Sequence, residues 1–182
     1  LKTILITGAT SGIGLAAAKK LANEKNQLIL CGRRQRKLDE ISEELSKSAN
    51  VLSLCFDVSN KNEVNRLLND LPEQFSSVDV LINNAGNAHG LDTIQDGSLD
   101  DWDNMIDSNV KGLLYVSRVI IPKMIEQKCG HIINIGSLAG REVYEKGNIY
   151  CATKHAVNAI SKAMRIDLNK TGVKVSEINP GL

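Results

Sequence analysis

Residues 2–14 read KTILITGATSGIG, in which an apolar run passes directly into a turn with three glycines and then into a helical pattern. Glycines permit a tight turn and let backbone N–H groups approach a diphosphate closely, with the positive end of the following helix behind them. A glycine-rich turn alone can be an ordinary turn, but this one lies between a first strand and a helix, as a dinucleotide site requires. The residues expected at this site are Gly8, Thr10, Ser11, Gly12, Ile13 and Gly14.

Short apolar segments alternate with longer helical patterns along the rest of the chain. We predict strands at 2–8, 26–32, 51–58, 78–86, 130–137 and 174–180, and helices at 12–25, 34–48, 61–71, 99–128 and 150–168. Several strands are apolar on both faces, as in ILIT at 4–7 and LILC at 28–31, which favours a parallel sheet covered by helices on each side. The fold class predicted is therefore α/β, a doubly wound parallel sheet in a Rossmann-type three-layer α/β/α sandwich.

The composition is that of an ordinary globular domain, with 182 residues, 42% of them hydrophobic, 24% charged and a net charge of +1. This predicts one domain over 1–182, with no nucleic-acid partner and no attraction to an anionic membrane. No apolar stretch reaches the ~18–20 residues of a membrane span and no signal peptide opens the chain, so we expect a cytoplasmic location. The chain begins without Met and stops at NPGL. We therefore expect a C-terminal strand and a substrate-specificity segment after residue 182.

The four cysteines, Cys31, Cys55, Cys129 and Cys151, show neither CxxC nor Cys/His spacing. Such spacings are what disulfide-exchange and zinc sites require. We interpret these residues as reduced thiols and expect no metal site.

The second predicted strand ends in CGRR at 31–34. A site for NAD needs an acidic residue here for the ribose 2′-hydroxyl, whereas Arg33 and Arg34 offer guanidinium groups suited to a 2′-phosphate. This favours NADP, although the arginines could simply begin a solvated helix. The residues that follow the third and fourth strands share this edge of the sheet and are either ordinary loop residues or the lining of an adenine pocket; they are Asp57, Val58, Asn84, Ala85 and Gly86.

Tyr150 and Lys154 are four residues apart in a helical pattern, so their side chains should project from one helix face. A cation held near a phenol favours the phenolate and brings the tyrosine pKa closer to a useful acid/base range. The alternative is an ordinary pair on a solvated helix, and the spacing alone does not decide between them.

Motifs in order along the whole chain resemble the classical short-chain dehydrogenase/reductase family. They are TGATSGIG at 7–14, Asp57-Val58, NNAG at 83–86, Asn109, Ser137, YCATK at 150–154 and Pro180-Gly181. Within the family, the segments 32–38, 99–124 and 130–140 are most similar to NADP-dependent 3-hydroxy acid dehydrogenases that act on serine and allo-threonine.

The resemblance implies a catalytic tetrad of Asn109, Ser137, Tyr150 and Lys154. Tyr150 would exchange a proton with the substrate hydroxyl, Lys154 would lower the tyrosine pKa and bind the nicotinamide ribose, and Ser137 would orient the substrate oxygen. Asn109 would bind a water that links Lys154 to solvent. The resemblance also implies cofactor contacts for Tyr150, Lys154, Pro180 and Gly181. The alternatives are a turn cap for Ser137, a surface residue for Asn109 and a core aromatic for Tyr150.

The substrate is expected to be a small 3-hydroxy acid bound by Ser137 and Tyr150. The loop between them contains Arg141 and Lys146, either of which could pair with a carboxylate, while Arg141 could instead bridge to a neighbouring glutamate. Two alternatives stay open. One is a reductase for a sugar, a steroid or a 3-oxoacyl thioester, and the other is a non-catalytic NADP(H) sensor.

Two helical patterns, 99–128 and 150–168, carry more apolar residues than one core-facing stripe needs. Family members commonly pair these helices across a two-fold axis. The expectation is a homo-oligomer, a dimer or a tetramer, held together through both helices.

Overall fold

The protein is described by a computed structural model over residues 1–181, in which strands and helices alternate along the chain. The strands are β1 (Lys2–Thr7), β2 (Asn26–Gly32), β3 (Asn50–Cys55), β4 (Val80–Asn83), β5 (Gly130–Ile135) and β6 (Val173–Ile178). The helices are α1 (Gly12–Leu21), α2 (Gln35–Leu45), α3 (Lys61–Asn69), α4 (Leu99–Ile106), α5 (Leu113–Glu126) and α6 (Asn148–Asp167). Shorter helical pieces are a π-helical segment at Asp107–Gly112 and 3₁₀ turns at Glu73–Phe75 and Leu138–Gly140.

The strands form one parallel sheet in the order β3-β2-β1-β4-β5-β6. The chain therefore builds outward from β1 to one edge, returns to β4 beside β1, and builds outward to the other edge. The order reverses between β1 and β4, and ligands of such sheets bind beyond the carboxyl ends of the strands at that point. The predicted doubly wound fold is confirmed.

Two apolar layers cover the sheet because successive strand residues point to opposite faces. Leu5, Ile29 and Leu81 pack with α3, α5 and α6 on one face, whereas Ile4 and Ile6 belong to the layer on the other face that includes residues of α1 and α2. These strand positions are at most 4% exposed. Burial on both faces explains why the strand sequences do not alternate between polar and apolar residues.

The predicted single helix over 99–128 is wrong in its centre, where a π-helical segment separates α4 from α5. Asn109 lies in this segment with its side chain turned inward, 2% exposed. A π segment adds a residue to a helical turn and often marks a functional site. The reason for it lies in the hydrogen bonds of Asn109, which hold the loop after β4.

Other element ends differ by a few residues from the sequence prediction. The first helix ends at Leu21 rather than at 25, because Ala22 has extended backbone angles. The fourth strand ends at Asn83 rather than at 86, because Asn84 turns its side chain back to the carbonyl groups of Thr7 and Gly8.

In residues 1–181 we find no helix that has both the length and the apolar character needed to cross a membrane. Over the same range no three metal-ligating side chains form a group that could hold a metal ion. The four cysteines are free thiols, and burial raises the pKa of Cys31 well above its ordinary value.

Candidate active site

A cleft of about 1120 Å³ opens at the carboxyl ends of the strands, around the point where the strand order reverses. Pockets for ordinary small ligands measure roughly 300–1,000 Å³, so this one has room for a dinucleotide together with a small substrate. Most of the predicted site residues line it: Gly8, Thr10, Ser11, Gly12, Ile13, Arg33, Arg34, Asp57, Val58, Asn84, Ala85, Gly86, Ser137, Tyr150, Lys154, Pro180 and Gly181.

The glycine-rich turn forms one wall of the cleft. Gly8 and Gly12 have positive φ angles of 66° and 54°, which other residues rarely adopt. A Cβ on Gly8 would lie 2.9 Å from the Ala85 Cα, whereas a Cβ on Gly12 would meet no atom within 4 Å. Gly8 therefore allows close packing, and Gly12 leaves the wall open to a ligand. Gly14 lies behind the wall, where a Cβ would come 2.4 Å from the Gly8 carbonyl oxygen.

Helix α1 presents its N-terminus to this wall. Its Ser11 cap makes no side-chain hydrogen bond to the first turn, and that turn contains no acidic residue. The first N–H groups of a helix then lack partners and carry a partial positive charge. This end of α1 suits a phosphate.

The two arginines after β2 have different partners. Arg34 donates to the Thr10 hydroxyl at 2.7 Å and to the Ser11 hydroxyl at 2.9 Å, which fixes its guanidinium against the glycine-rich turn. Arg33 is 62% exposed and pairs with Asp57 at 3.2 Å. Burial alone would raise the pKa of Asp57, but hydrogen bonds from Ser59 and Arg33 outweigh burial and lower it below its ordinary value.

The cleft therefore has an open wall at Gly12 and the N-terminus of α1 without a side-chain cap. The end of β2 contributes two guanidinium groups and no acidic residue. These features fit the diphosphate and the adenosine 2′-phosphate of NADP.

The loop after β4 is tied to the same turn. Thr7 receives hydrogen bonds at its hydroxyl from the N–H groups of Asn84 and Ala85, both at 3.0 Å. The Asn84 amide donates to the carbonyl groups of Thr7 and Gly8 at 2.9 and 3.1 Å. Asn84 thus positions the glycine-rich turn in addition to lining the cleft.

Ser137 lies at the opposite end of the cleft, just after β5. Its Oγ accepts a hydrogen bond from the Ala139 N–H at 3.1 Å, and its own N–H donates to Asn179 Oδ1 at 3.0 Å. Ser137 therefore does cap the turn, as the alternative predicted. The same side chain also lines the cleft, so capping does not exclude a role there. Oγ accepts this bond, and over residues 1–181 no hydrogen bond uses the hydroxyl hydrogen as a donor.

Tyr150 and Lys154 lie in the first turns of α6, with Nζ of Lys154 5.8 Å from the centre of the Tyr150 ring. Lys154 is 8% exposed and donates to the Ile135 carbonyl oxygen at 3.0 Å. Burial lowers the pKa of Lys154, and the negative charge of Glu177 partly opposes this. The interpretation as an ordinary solvated pair fails because the lysine is buried.

Asn109 does not line the cleft but lies behind it. Its Oδ1 accepts from the Asn87 N–H at 2.8 Å, and its Nδ2 donates to the Asn87 carbonyl at 2.8 Å and to the Thr153 hydroxyl at 3.1 Å. The surface alternative for Asn109 is excluded by its burial. These bonds connect the loop after β4 to the helix of Tyr150 and Lys154, while the predicted water-binding role stays a prediction.

Arg141 is exposed and does not line the cleft, so its role toward a substrate carboxylate also stays a prediction. In residues 1–181 it forms no ion pair with a neighbouring glutamate. The same loop instead contributes Glu142, Val143 and Tyr144 to the lining.

Sequence reasoning missed several residues that line or support the site. They are Asn87, Ser108, Glu142, Tyr144, Thr153 and Asn179. The positions of Thr153 within YCATK and of Asn179 directly before Pro180-Gly181 were the available signals. The others follow from contacts made only in three dimensions.

Comparisons with known proteins agree with this geometry. A family model described as short chain dehydrogenase matches residues 2–182. The NADP-dependent 3-hydroxy acid dehydrogenase YdfG of Salmonella typhi is 44% identical over 179 residues, which cover 98% of this chain and 71% of the relative. The protein of the same name from Escherichia coli strain K12 is 42% identical over 179 residues, with the same coverage of both chains.

Solved structures are similar as well. The closed form of serine dehydrogenase complexed with NADP+ is 42% identical with a TM-score of 0.94, over 99% of this chain and 72% of that one. A metagenomic short-chain oxidoreductase in complex with NADP is 31% identical with a TM-score of 0.93, over 100% of this chain and 82% of that one.

Proposed function

This chain belongs to the short-chain dehydrogenase family, and from that premise we propose that it transfers a hydride between NADP and C3 of a small 3-hydroxy acid. Its predicted NADP dependence and its action on a CH–OH group are confirmed by the relatives and by the NADP-bound structures of similar proteins. The observation that carries the proposal is that Ser137, Tyr150 and Lys154 line the same cleft as the glycine-rich turn and Arg33.

In this proposal Tyr150 is the general acid/base. Its side chain is half-buried and faces the cleft, and NADP, when bound, supplies the nicotinamide that accepts or returns the hydride. The phenol oxygen takes the proton of the substrate hydroxyl during oxidation and gives it back during reduction. The buried ammonium of Lys154 stabilises negative charge on that oxygen, because charges interact strongly where water is excluded.

Ser137 orients the substrate. Because its Oγ already accepts from Ala139, the hydroxyl hydrogen is directed to another acceptor, which the substrate oxygen provides. Asn179 holds the Ser137 backbone, and Asn109 holds Thr153 beside Lys154. Both asparagines are positioning residues in this proposal.

The substrate class is supported by the names of the relatives, a 3-hydroxy acid dehydrogenase and a serine dehydrogenase. The test is the appearance of NADPH absorbance when the protein and NADP are incubated with serine, allo-threonine, 3-hydroxypropionate, 3-hydroxybutyrate and sugar alcohols. We expect turnover of the hydroxy acids. Turnover of the sugar alcohols alone would assign the enzyme to another substrate class and overturn the proposal.

We also propose that one domain holds both the cofactor and the catalytic residues, and that the protein works in the cytoplasm as a homo-oligomer. Four free thiols suit a reducing compartment. The association is supported by apolar side chains that α5 and α6 leave exposed, among them Leu114 at 41%, Ile125 at 39% and Ile166 at 75%.

A further inference from the structure

We infer that Glu142 is a specificity-determining residue whose carboxylate selects substrates with a protonated amine next to the reacting carbon. It disfavours substrates whose only charge is a carboxylate. This inference rests on the proposed function, since it concerns which hydroxy compound enters the same site.

Glu142 lies five residues after Ser137 and eight before Tyr150, and it lines the same cleft as both. Its N–H donates to the Leu138 carbonyl at 3.1 Å, which anchors its backbone to the turn that begins at Ser137.

The far end of this loop is fixed as well. The Gly147 N–H donates to the Tyr144 carbonyl at 3.1 Å, and the Cys151 N–H donates to the Gly147 carbonyl at 2.7 Å. The loop is thus held at Ser137 and at the start of α6, which keeps Glu142 in the part of the cleft wall between these two points.

Five charged residues line the cleft, and three of them, Arg33, Arg34 and Asp57, follow β2 and β3 at the end suited to the adenosine phosphate. Lys154 is buried, with its Nζ bonded to the Ile135 carbonyl.

Glu142 is exposed and forms no ion pair within residues 1–181. At the catalytic end of the cleft it is therefore the one exposed charged group among the residues that the structure describes. Arg141 and Lys146, the cations of the same loop, do not line the cleft.

An unpaired carboxylate that lines the catalytic end of the cleft attracts a substrate ammonium group and repels a substrate carboxylate. A pair between exposed charged groups is worth ~0.2–1 kcal/mol, so it changes an affinity by roughly 1.5–5-fold. Since no exposed cation offsets Glu142 at the catalytic end of the described cleft, the affinity of a substrate should gain more from an amine than from a carboxylate.

The test uses four secondary alcohols that share a CH3–CH(OH)– unit and differ in whether an amine, a carboxylate, both or neither is attached to it. These are 1-amino-2-propanol, allo-threonine, 3-hydroxybutyrate and 2-propanol, and kcat/KM is measured for each at saturating NADP. Wild type is compared with Glu142→Gln and with Glu145→Gln, a matched control in the same loop that is exposed and does not line the cleft. Binding of NADPH by fluorescence serves as the second readout, and we expect it to be equal in all three proteins.

We expect Glu142→Gln to lower the ratio of kcat/KM for allo-threonine to that for 3-hydroxybutyrate by roughly 2–5-fold. Glu145→Gln should leave this ratio unchanged, and Glu142→Lys should shift it further toward 3-hydroxybutyrate. An equal ratio in wild type and Glu142→Gln would overturn the inference and leave the proposed function standing. Absence of turnover with all four alcohols would overturn the proposed function and the inference with it.

Discussion

The ammonium nitrogen of Lys154 lies 5.8 Å from the centre of the Tyr150 ring and donates to the Ile135 carbonyl at 3.0 Å. The lysine therefore connects the helix that carries the tyrosine to the end of β5, from which Ser137 follows. Lys154 is 8% exposed and Tyr150 lines the cleft, so the ammonium lies on the protein side of the ring. In the proposed function, the phenol oxygen is then left to the substrate.

Replacing Tyr150 by Phe removes the proton donor and acceptor while keeping the ring. General acid/base groups contribute ~100-fold or more, so we expect turnover to fall by at least about 100-fold. Binding of NADPH, measured by fluorescence, should persist because the glycine-rich turn and Arg34 are untouched. Tyr115→Phe on α5, away from the cleft, is the control. Undiminished turnover of Tyr150→Phe would remove this residue from the mechanism.

The burial of Lys154 gives the stability a defined pH dependence. Burial lowers its pKa in the folded protein, while the unfolded chain keeps the ordinary value near ~10.4. Between these two pKa values the unfolded chain binds more protons than the folded protein, so the free energy of unfolding rises with pH. Below the folded pKa, the destabilising cost of burying the ammonium is fully present.

Lys154→Met removes this dependence. We therefore expect the free energy of unfolding of wild type to rise relative to that of Lys154→Met as the pH approaches ~10.4. Urea unfolding at a series of alkaline pH values measures it, with Lys162→Met, at an exposed position of α6, as the control. Parallel curves for wild type and Lys154→Met would contradict the prediction.

The two arginines at the end of β2 should differ in their effect on cofactor choice. Within residues 1–181, Arg33 pairs only with Asp57 at the cleft edge. Arg34 instead donates hydrogen bonds to the hydroxyl groups of Thr10 and Ser11 in the glycine-rich turn. Loss of one charge-assisted bond to a 2′-phosphate costs ~1.5–3 kcal/mol, so Arg33→Ala should lower kcat/KM for NADP by roughly 10–100-fold and leave that for NAD nearly unchanged.

Arg34→Ala should lower kcat/KM for both NADP and NAD, because it also removes the hydrogen bonds to Thr10 and Ser11 that hold the glycine-rich turn. Arg36→Ala is the matched control, since Arg36 is 93% exposed and pairs with Glu40 on the same helix. Equal losses for NADP and NAD in Arg33→Ala would show that Arg33 does not bind the 2′-phosphate.

The parts of the fold that follow from local patterns were predictable. Strand β2 has the predicted bounds 26–32, because its apolar run ends at Gly32 and the arginines. The interruption of the helix over 99–128 was not predictable, because it depends on the bonds of Asn109 to Asn87, 22 residues earlier in the chain. Propensity carries no signal for a contact of that kind.

The candidate site was also predictable only in part. The spacing of Tyr150 and Lys154 suggested a pair but did not decide its role, and Ser137 was named through the family resemblance; the structure brings all three to the cleft. Glu142 and Arg141 are adjacent in a loop, and sequence reasoning chose the arginine although the glutamate lines the cleft. A loop without period 2 or 3.6 gives no rule for which of two neighbours faces inward.

The exposed apolar residues of α5 and α6 predict association. Light scattering should give a multiple of the 19.8 kDa chain mass at micromolar concentration. Placing a charge on the exposed face of α6 with Ala159→Arg should shift this mass toward the monomer, because a buried unpaired charge is costly. Glu43→Arg on exposed α2 surface is the control, and a monomeric wild type would contradict the prediction.

Asn109→Ala tests whether the π segment holds the site together. The change deprives both the N–H and the carbonyl of Asn87 of their partner, and leaving such groups unsatisfied should lower the free energy of unfolding by about 2 kcal/mol. Because the bond to Thr153 is lost as well, we expect kcat to fall while binding of NADPH to the glycine-rich turn stays close to wild type. Asn104→Ala, at an exposed position of α4, is the matched control for both measurements. A variant with lowered stability but unchanged kcat would show that Asn109 supports the fold without positioning the catalytic helix.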